Sequence, residues 1–230
     1  MAEQGKKTRK QLRQEKRDAR ERTTFYRVIY FLFAPLIGLL FRIRVEGREH
    51  LPAEGGYVIC ANHVCAADPI FLCYAFRGRQ MRLMAKKELF SIPLLGWLIR
   101  SLGAFPVDRK HNDVAAVRHG VELVKGGRCL CIFPQGHRYP GVDPRTTKAK
   151  NGAAMIAVRG GGGVVPAYIY CKKGKPGLFK RTTVIIGKPL SFADLAYDPE
   201  GAGEYARISE QIMDRICTLG EEKREREAAK

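Results

Sequence analysis

One stretch of this sequence brings together an imidazole and a carboxylate: Asn62-His63-Val64-Cys65-Ala66-Ala67-Asp68-Pro69, with four residues between His63 and Asp68. On a continuous helix, positions five apart point about 140° away from each other. The two side chains meet only if the chain turns between them. If they do meet, the carboxylate orients the ring and stabilises the imidazolium, leaving the other nitrogen as a general base. No serine lies in the stretch, so the nucleophile would be a substrate hydroxyl, deprotonated as it attacks a carbonyl from within about 3 Å. A plainer reading fits the same residues. Asp68 would cap a helix whose first position is Pro69, and His63 would be a strand-end histidine with its hydrogen bond satisfied. Cys60, His63 and Cys65 lack a second ligand cluster at zinc-like spacing, so no metal is expected.

Two further segments carry polar groups at strand ends. Gly103-Ala104-Phe105-Pro106-Val107-Asp108-Arg109 ends in a guanidinium able to hold a phosphate bidentately. Phe133-Pro134-Gln135-Gly136-His137-Arg138 offers a second arginine, an amide at Gln135, and a glycine at Gly136 that permits a close backbone approach. Either could also be a surface arginine or an ordinary strand-to-loop turn.

These groups need a scaffold. Short apolar runs predict strands at Arg42–Glu46, Tyr57–Ala61, Met81–Ala85, Ala104–Val107, Cys129–Phe133, Val164–Tyr170 and Thr183–Ile186. Helical patterns lie between them at Ile70–Phe76, Leu94–Leu102, Asp113–Lys125 and Gly152–Val158. A last helix, Glu204–Leu219, puts Ile208, Ile212 and Ile216 on one stripe. Alternation of this kind predicts an α/β fold with a mixed, mostly parallel sheet flanked by helices. The charged tail 221–230 is expected to fray. The apolar stretch Leu89–Leu102, with Phe90, Leu94, Leu95, Trp97 and Leu98, is a candidate wall for an apolar groove or tunnel, with core packing the alternative.

The chain has 41 Lys and Arg against 23 Asp and Glu, a net charge of +18. Such an excess favours an anionic partner: nucleic acid, an anionic membrane or a phosphate-bearing substrate. Residues 1–24 are a basic tract with nine Lys/Arg against four acids. Residues 25–44 follow as an apolar segment whose run Phe25–Phe41 has a single charge, Arg27. As helix that run covers about 25 Å, short of a ~30 Å hydrocarbon core, and Pro35 predicts a break or bend. A basic tract beside apolar helices predicts docking on an anionic lipid surface. It does not suit a nucleic-acid module, which would interleave aromatics with its basic residues. The seven cysteines, mostly in apolar runs, read as reduced thiols of a cytosol-facing protein. No secretory signal is evident.

Taken in order, the motifs resemble the 1-acyl-sn-glycerol-3-phosphate acyltransferase family of glycerolipid synthesis. Asn62, His63 and Asp68 match the family's Asn-His, four residues, Asp. Gly103 to Arg109 match its Gly-containing segment ending in Arg. Phe133, Pro134, Gly136 and Arg138 match Phe-Pro-Glu-Gly-Thr-Arg, and Val165-Pro166 match a Val-Pro strand segment. Gln135 stands where the family has Glu, and His137 where it has Thr, so any role needing a carboxylate at Gln135 is lost. The resemblance implies a catalytic domain over 45–220, with His63 and Asp68 catalytic. Arg109, Arg138 and Lys86 would hold the acceptor phosphate, and Gln135 and Gly136 would position the acceptor or the oxyanion. It implies transfer of an acyl group from acyl-CoA or acyl-acyl-carrier-protein to the sn-2 hydroxyl of lysophosphatidic acid, with no acyl-enzyme and no cofactor beyond that co-substrate, at the cytoplasmic face of the cell membrane. A glycerol-3-phosphate or other lysophospholipid acyltransferase, a nucleic-acid binder, and a catalytically silent membrane scaffold are the alternatives.

Overall fold

The computed structural model describes residues 23–108, 113–172 and 174–229. Most of the basic tract, and Arg109, lie outside the described residues.

The first helix, α1 (Thr24–Leu40), starts at Thr23, whose hydroxyl accepts the Tyr26 N–H at 3.2 Å. It is one helix with Pro35 inside it, not the broken pair that Pro35 suggested. Its inner face packs on α2 (Asp68–Ala75): Tyr26 is buried, the Tyr30 hydroxyl donates to the Tyr74 carbonyl at 3.3 Å, and Gly38 lies flat against the Tyr74 ring. A helix held by packing along its length keeps its course despite one missing backbone donor.

After β1 (Arg44–Glu46) comes β2 (Tyr57–Ala61), whose five residues are all buried. Continuous burial marks a strand covered on both faces, as parallel sheets require. Then follow α2, β3 (Met81–Lys86), α3 (Pro93–Ser101), β4 (Ala104–Val107), α4 (Val114–Lys125), β5 (Cys129–Ile132), α5 (Gly152–Gly160), β6 (Gly163–Cys171), β7 (Thr182–Ile186) and α6 (Glu204–Ala228). The seven strands form one sheet in the order β1-β7-β6-β2-β5-β3-β4, and only β6 and β7 pair antiparallel. Pro106 falls on β4, the edge strand, where a missing ladder donor is tolerated.

Alternate residues of the central strands feed two cores. Val58, Cys60, Leu130 and Val164 pack with α4, α5 and α6; Tyr57, Ile59, Cys131 and Val165 pack with α2. Because β2, β5, β3 and β4 run parallel, their C-terminal ends share one edge of the sheet. The Asn62 and Phe133 motifs begin at that edge and the Gly103 motif runs along β4 to reach it at Asp108, the usual place for chemistry on an open α/β sheet.

The C-terminal segment departs from expectation, because α6 runs on to Ala228 instead of fraying after Leu219. Its charges are anchored to the body. The Lys223 ammonium is nearly buried and meets Glu46 at 2.8 Å and Glu227 at 2.9 Å, and Glu221 pairs with Arg145.

Candidate active site

His63 lies just past β2, in a short turn that ends where α2 begins. Its Nδ1 is 2.7 Å from Asp68 Oδ2. The same oxygen accepts the backbone N–H of Val64 at 2.6 Å and of Cys65 at 2.8 Å, and the Cys65 thiol donates to Oδ1 at 3.1 Å. The plainer reading, Asp68 as a helix cap, is therefore corrected: its carboxylate turns back to the preceding residues and makes no cap bond in α2. The turn is what brings together side chains that a helix would have separated.

These bonds assign the imidazole. An Oδ2 already accepting two N–H groups takes a third donor from Nδ1–H, so in the neutral ring the lone pair sits on Nε2. The ring stacks on Phe133 at 4.0 Å between centroids and 13° between planes, and the residue is only 6% exposed. Its main chain is pinned from both sides, with the His63 N–H donating to Gln135 Oε1 at 2.7 Å and the His63 carbonyl accepting from Tyr139 N at 2.8 Å. One residue earlier, the Asn62 side chain bridges to the backbone of Ile169, accepting its N–H at 2.7 Å and donating to its carbonyl at 3.2 Å. Ring, peptide and flanking strand are thus all held.

Gln135 works beneath the site. It is buried, and its Nε2 donates to Thr147 Oγ1 at 2.9 Å while that hydroxyl donates to the Pro144 carbonyl at 2.6 Å. Both ends of the amide are engaged with protein, a tie that the expected role of positioning the acceptor did not include. Gly136 also differs from expectation. Its N–H donates to the Phe133 carbonyl at 2.9 Å and closes a turn, so it is not aimed at an oxyanion. The glycine is required for a different reason: its φ is +70°, and a Cβ there would come within 2.8 Å of the Lys150 side chain.

The expected phosphate ligands reach the edge of the site unevenly. Arg138 is exposed on the loop after β5. Lys86 ends β3 and pairs with Glu88 at 3.3 Å; β5 lies between β3 and β2, so Lys86 starts ~10 Å from the base strand. Sequence reasoning missed Lys150, whose ammonium sits 3.3 Å from where a Gly136 Cβ would be, and also Thr147, Tyr139 and the Phe133 stack. Only Phe133 stood inside a recognisable motif.

The cysteines are not poised as ligands. Burial, with the Asp68 carboxylate and the hydrogen bond to it, pushes the Cys65 thiol up to about 12, and burial raises Cys60 further. Among the described residues no group of three or more His, Cys, Asp and Glu is placed to hold a metal ion. The Leu89–Leu102 stretch does not form a tunnel wall as a whole, since Leu94 and Trp97 face outward.

Comparison with known proteins gives the family of this chain. The family model described as Acyltransferase matches residues 42–170. A 1-acyl-sn-glycerol-3-phosphate acyltransferase of Bacillus subtilis is 34% identical over 186 residues, covering 80% of this chain and 91% of the relative. One of Saccharomyces cerevisiae is 30% identical and covers 84% of this chain and 65% of the relative. The crystal structure of the lysophosphatidic acid acyltransferase PlsC from Thermotoga maritima superposes with a TM-score of 0.60 at 28% identity, covering 79% of this chain and 72% of that one.

Proposed function

Since the chain belongs to the acyltransferase family, we propose that it acylates the sn-2 hydroxyl of 1-acyl-sn-glycerol-3-phosphate, giving phosphatidic acid, with His63 as the base. The observation that carries this reading is the 2.7 Å contact between His63 Nδ1 and Asp68 Oδ2, which leaves Nε2 to take a proton. Nε2 deprotonates the acceptor hydroxyl as it attacks the thioester carbonyl of acyl-CoA or acyl-acyl-carrier-protein. The tetrahedral intermediate collapses by expelling the thiolate, which takes up a proton to leave as thiol. No acyl-enzyme is needed. Stacking on Phe133 and the two main-chain bonds keep the ring from swinging, so little orientational entropy remains to be lost at the transition state. Arg109, Arg138 and Lys86 bind the acceptor phosphate, and Lys150 adds a fourth cation beside the motif loop.

The enzyme works at a membrane surface. No described helix is long and apolar enough to cross a bilayer, but α1 turns Phe31 and Leu39 outward at 79% and 71% exposure. A helix with its outer face this apolar lies along the interface, buried to the acyl boundary. On this reading a lysolipid enters the site from one leaflet.

The test is thiol release from acyl-CoA with lysophosphatidic acid, glycerol-3-phosphate and other lysophospholipids offered in parallel. Lysophosphatidic acid should give the highest kcat/KM, and His63→Ala should lower kcat by roughly 10²–10⁴-fold with lipid binding retained. Near-normal turnover by His63→Ala would reject the mechanism, and a preference for another acceptor would reject the substrate.

A further inference from the structure

The loop between β6 and β7 is the least expected surface of the molecule. Leu178 and Phe179 stand 60% and 66% exposed at its tip. Phe179 adopts φ +59°, a left-handed conformation that a bulky side chain rarely takes. Contacts to α1 hold it there: the Phe179 N–H donates to the Leu40 carbonyl at 2.6 Å, and Thr182 N donates to the Phe41 carbonyl at 3.1 Å. The fold therefore holds an aromatic ring in an unfavourable backbone state while leaving it in solvent. Around it stand the exposed cations Lys175, Lys180 and Arg181, and the sequence from Cys171 to Arg181 contains no acid.

The opposite end of α1 shows a matching arrangement. Phe25 meets Trp97 of α3 edge-on at 5.3 Å, and Trp97 is itself 56% exposed beside the outward Leu94. So α1, about 25 Å long, is bracketed by an apolar tip at each end.

We propose that Leu178 and Phe179 form a second membrane contact, inserting into the acyl region of an anionic leaflet while Lys175, Lys180 and Arg181 bind lipid phosphates. The proposal builds on the interfacial role given to α1. An apolar tip ringed by cations, with no acid nearby, is complementary to an anionic bilayer: apolar insertion and headgroup attraction then act in the same direction. A contact made outside α1 adds a constraint that one helix free to roll about its axis lacks.

The test uses the full chain with vesicles of phosphatidylcholine alone or with a minority of phosphatidylglycerol, and reads co-sedimentation and quenching of Trp97, the chain's one tryptophan, by brominated lipids. Leu178→Ser/Phe179→Gly should weaken partitioning onto the anionic vesicles roughly tenfold or more; glycine suits the left-handed φ, and an unchanged circular dichroism spectrum and melting temperature confirm the fold. Lys175→Gln/Lys180→Gln/Arg181→Gln should weaken anionic binding and flatten its salt dependence without changing neutral binding. Wild-type partitioning in both variants overturns the proposal. So does wild-type partitioning accompanied by a fall in kcat/KM with an acyl-carrier-protein donor alone, which would assign the loop to the acidic carrier. Phe31→Ser/Leu39→Ser tests α1 separately. Loss there with none in the loop variants leaves α1 docking standing and rejects the loop contact, and the reverse result rejects α1 docking and keeps the loop.

Discussion

Asp68 Oδ2 lies 2.7 Å from His63 Nδ1 and simultaneously accepts two backbone N–H groups from the turn that joins the residues. One oxygen thus closes the turn and orients the imidazole. Asp68→Asn offers either an amide oxygen or an NH2 at that position, but not a carboxylate oxygen. The two backbone N–H groups select the amide oxygen there, so the ring keeps its proton on Nδ1 but loses the negative charge that would stabilise its protonated form. The expected outcome is a fall in kcat of roughly 10²–10⁴-fold, with a smaller change in KM, measured by thiol release under saturating donor.

Gln135 holds the peptide of His63 and ties it through Thr147 to the Pro144 carbonyl. Gln135→Ala leaves the buried His63 N–H without its acceptor, costing about 1–3 kcal/mol, and should lower kcat roughly 10–100-fold through misplacement of the ring. Gln135→Glu restores the family's usual residue but replaces a donor with an acceptor. Thr147 must then donate to the carboxylate and release Pro144, at about 1 kcal/mol. A melting temperature lower by about 2–4 °C with kcat within a few-fold of wild type would mark Gln135 as a positioning residue. A large gain in kcat with Glu would contradict that role.

Several partly or fully buried thiols resist ionisation: Cys65 and Cys73 are pushed up to about 12, and Cys171 and Cys217 to about 11, chiefly by burial, against an ordinary value of 9.0. A raised pKa means the folded state binds protons that the unfolded state has already lost. Stability from this source is complete below pH 9 and declines as pH rises toward 11 and 12. Urea midpoints should therefore fall between pH 9 and 11, and the fall should be shallower in Cys65→Ala. Iodoacetamide at pH 8 should label Cys65 far more slowly than a free thiol.

Lys223 is nearly buried on α6 between Glu46 and Glu227. Burial opposes its charge, yet hydrogen bonds to the two carboxylates prevail and hold the ammonium above its ordinary range. Removing a partner should therefore hurt more than removing the charge. Glu46→Ala is expected to cost about 1–3 kcal/mol, and Lys223→Met, which keeps the apolar stem, less. Urea denaturation gives both values, and the reverse order would refute this account of the anchored tail.

Much of the scaffold was legible because its signals are local. Each of the seven strands and the first four helices predicted after His63 lies within a few residues of its expected place, and the last helix starts at its expected Glu204, since apolar runs and their punctuation act over short distances. The errors came where distant partners decide. Pro35 suggested a break, yet contacts with Tyr74 and burial of Tyr26 keep α1 in one piece. The charged segment after Leu219 suggested fraying, yet Glu46 and Arg145, far away in sequence, hold α6 together.

The site divides in the same way. The residue types and spacing of His63, Asp68 and the Phe133–Arg138 segment pointed to the chemistry proposed for this protein, because an imidazole, a carboxylate and cations have properties that travel with the side chain. What each group does there was decided only by the fold. Gln135 became a buried tie to the His63 peptide, Gly136 a turn under Lys150, and Thr147 a partner no motif marked. A hydrogen bond needs its donor and acceptor within about 3 Å, and for residues separated along the chain that proximity exists only after the sheet has assembled.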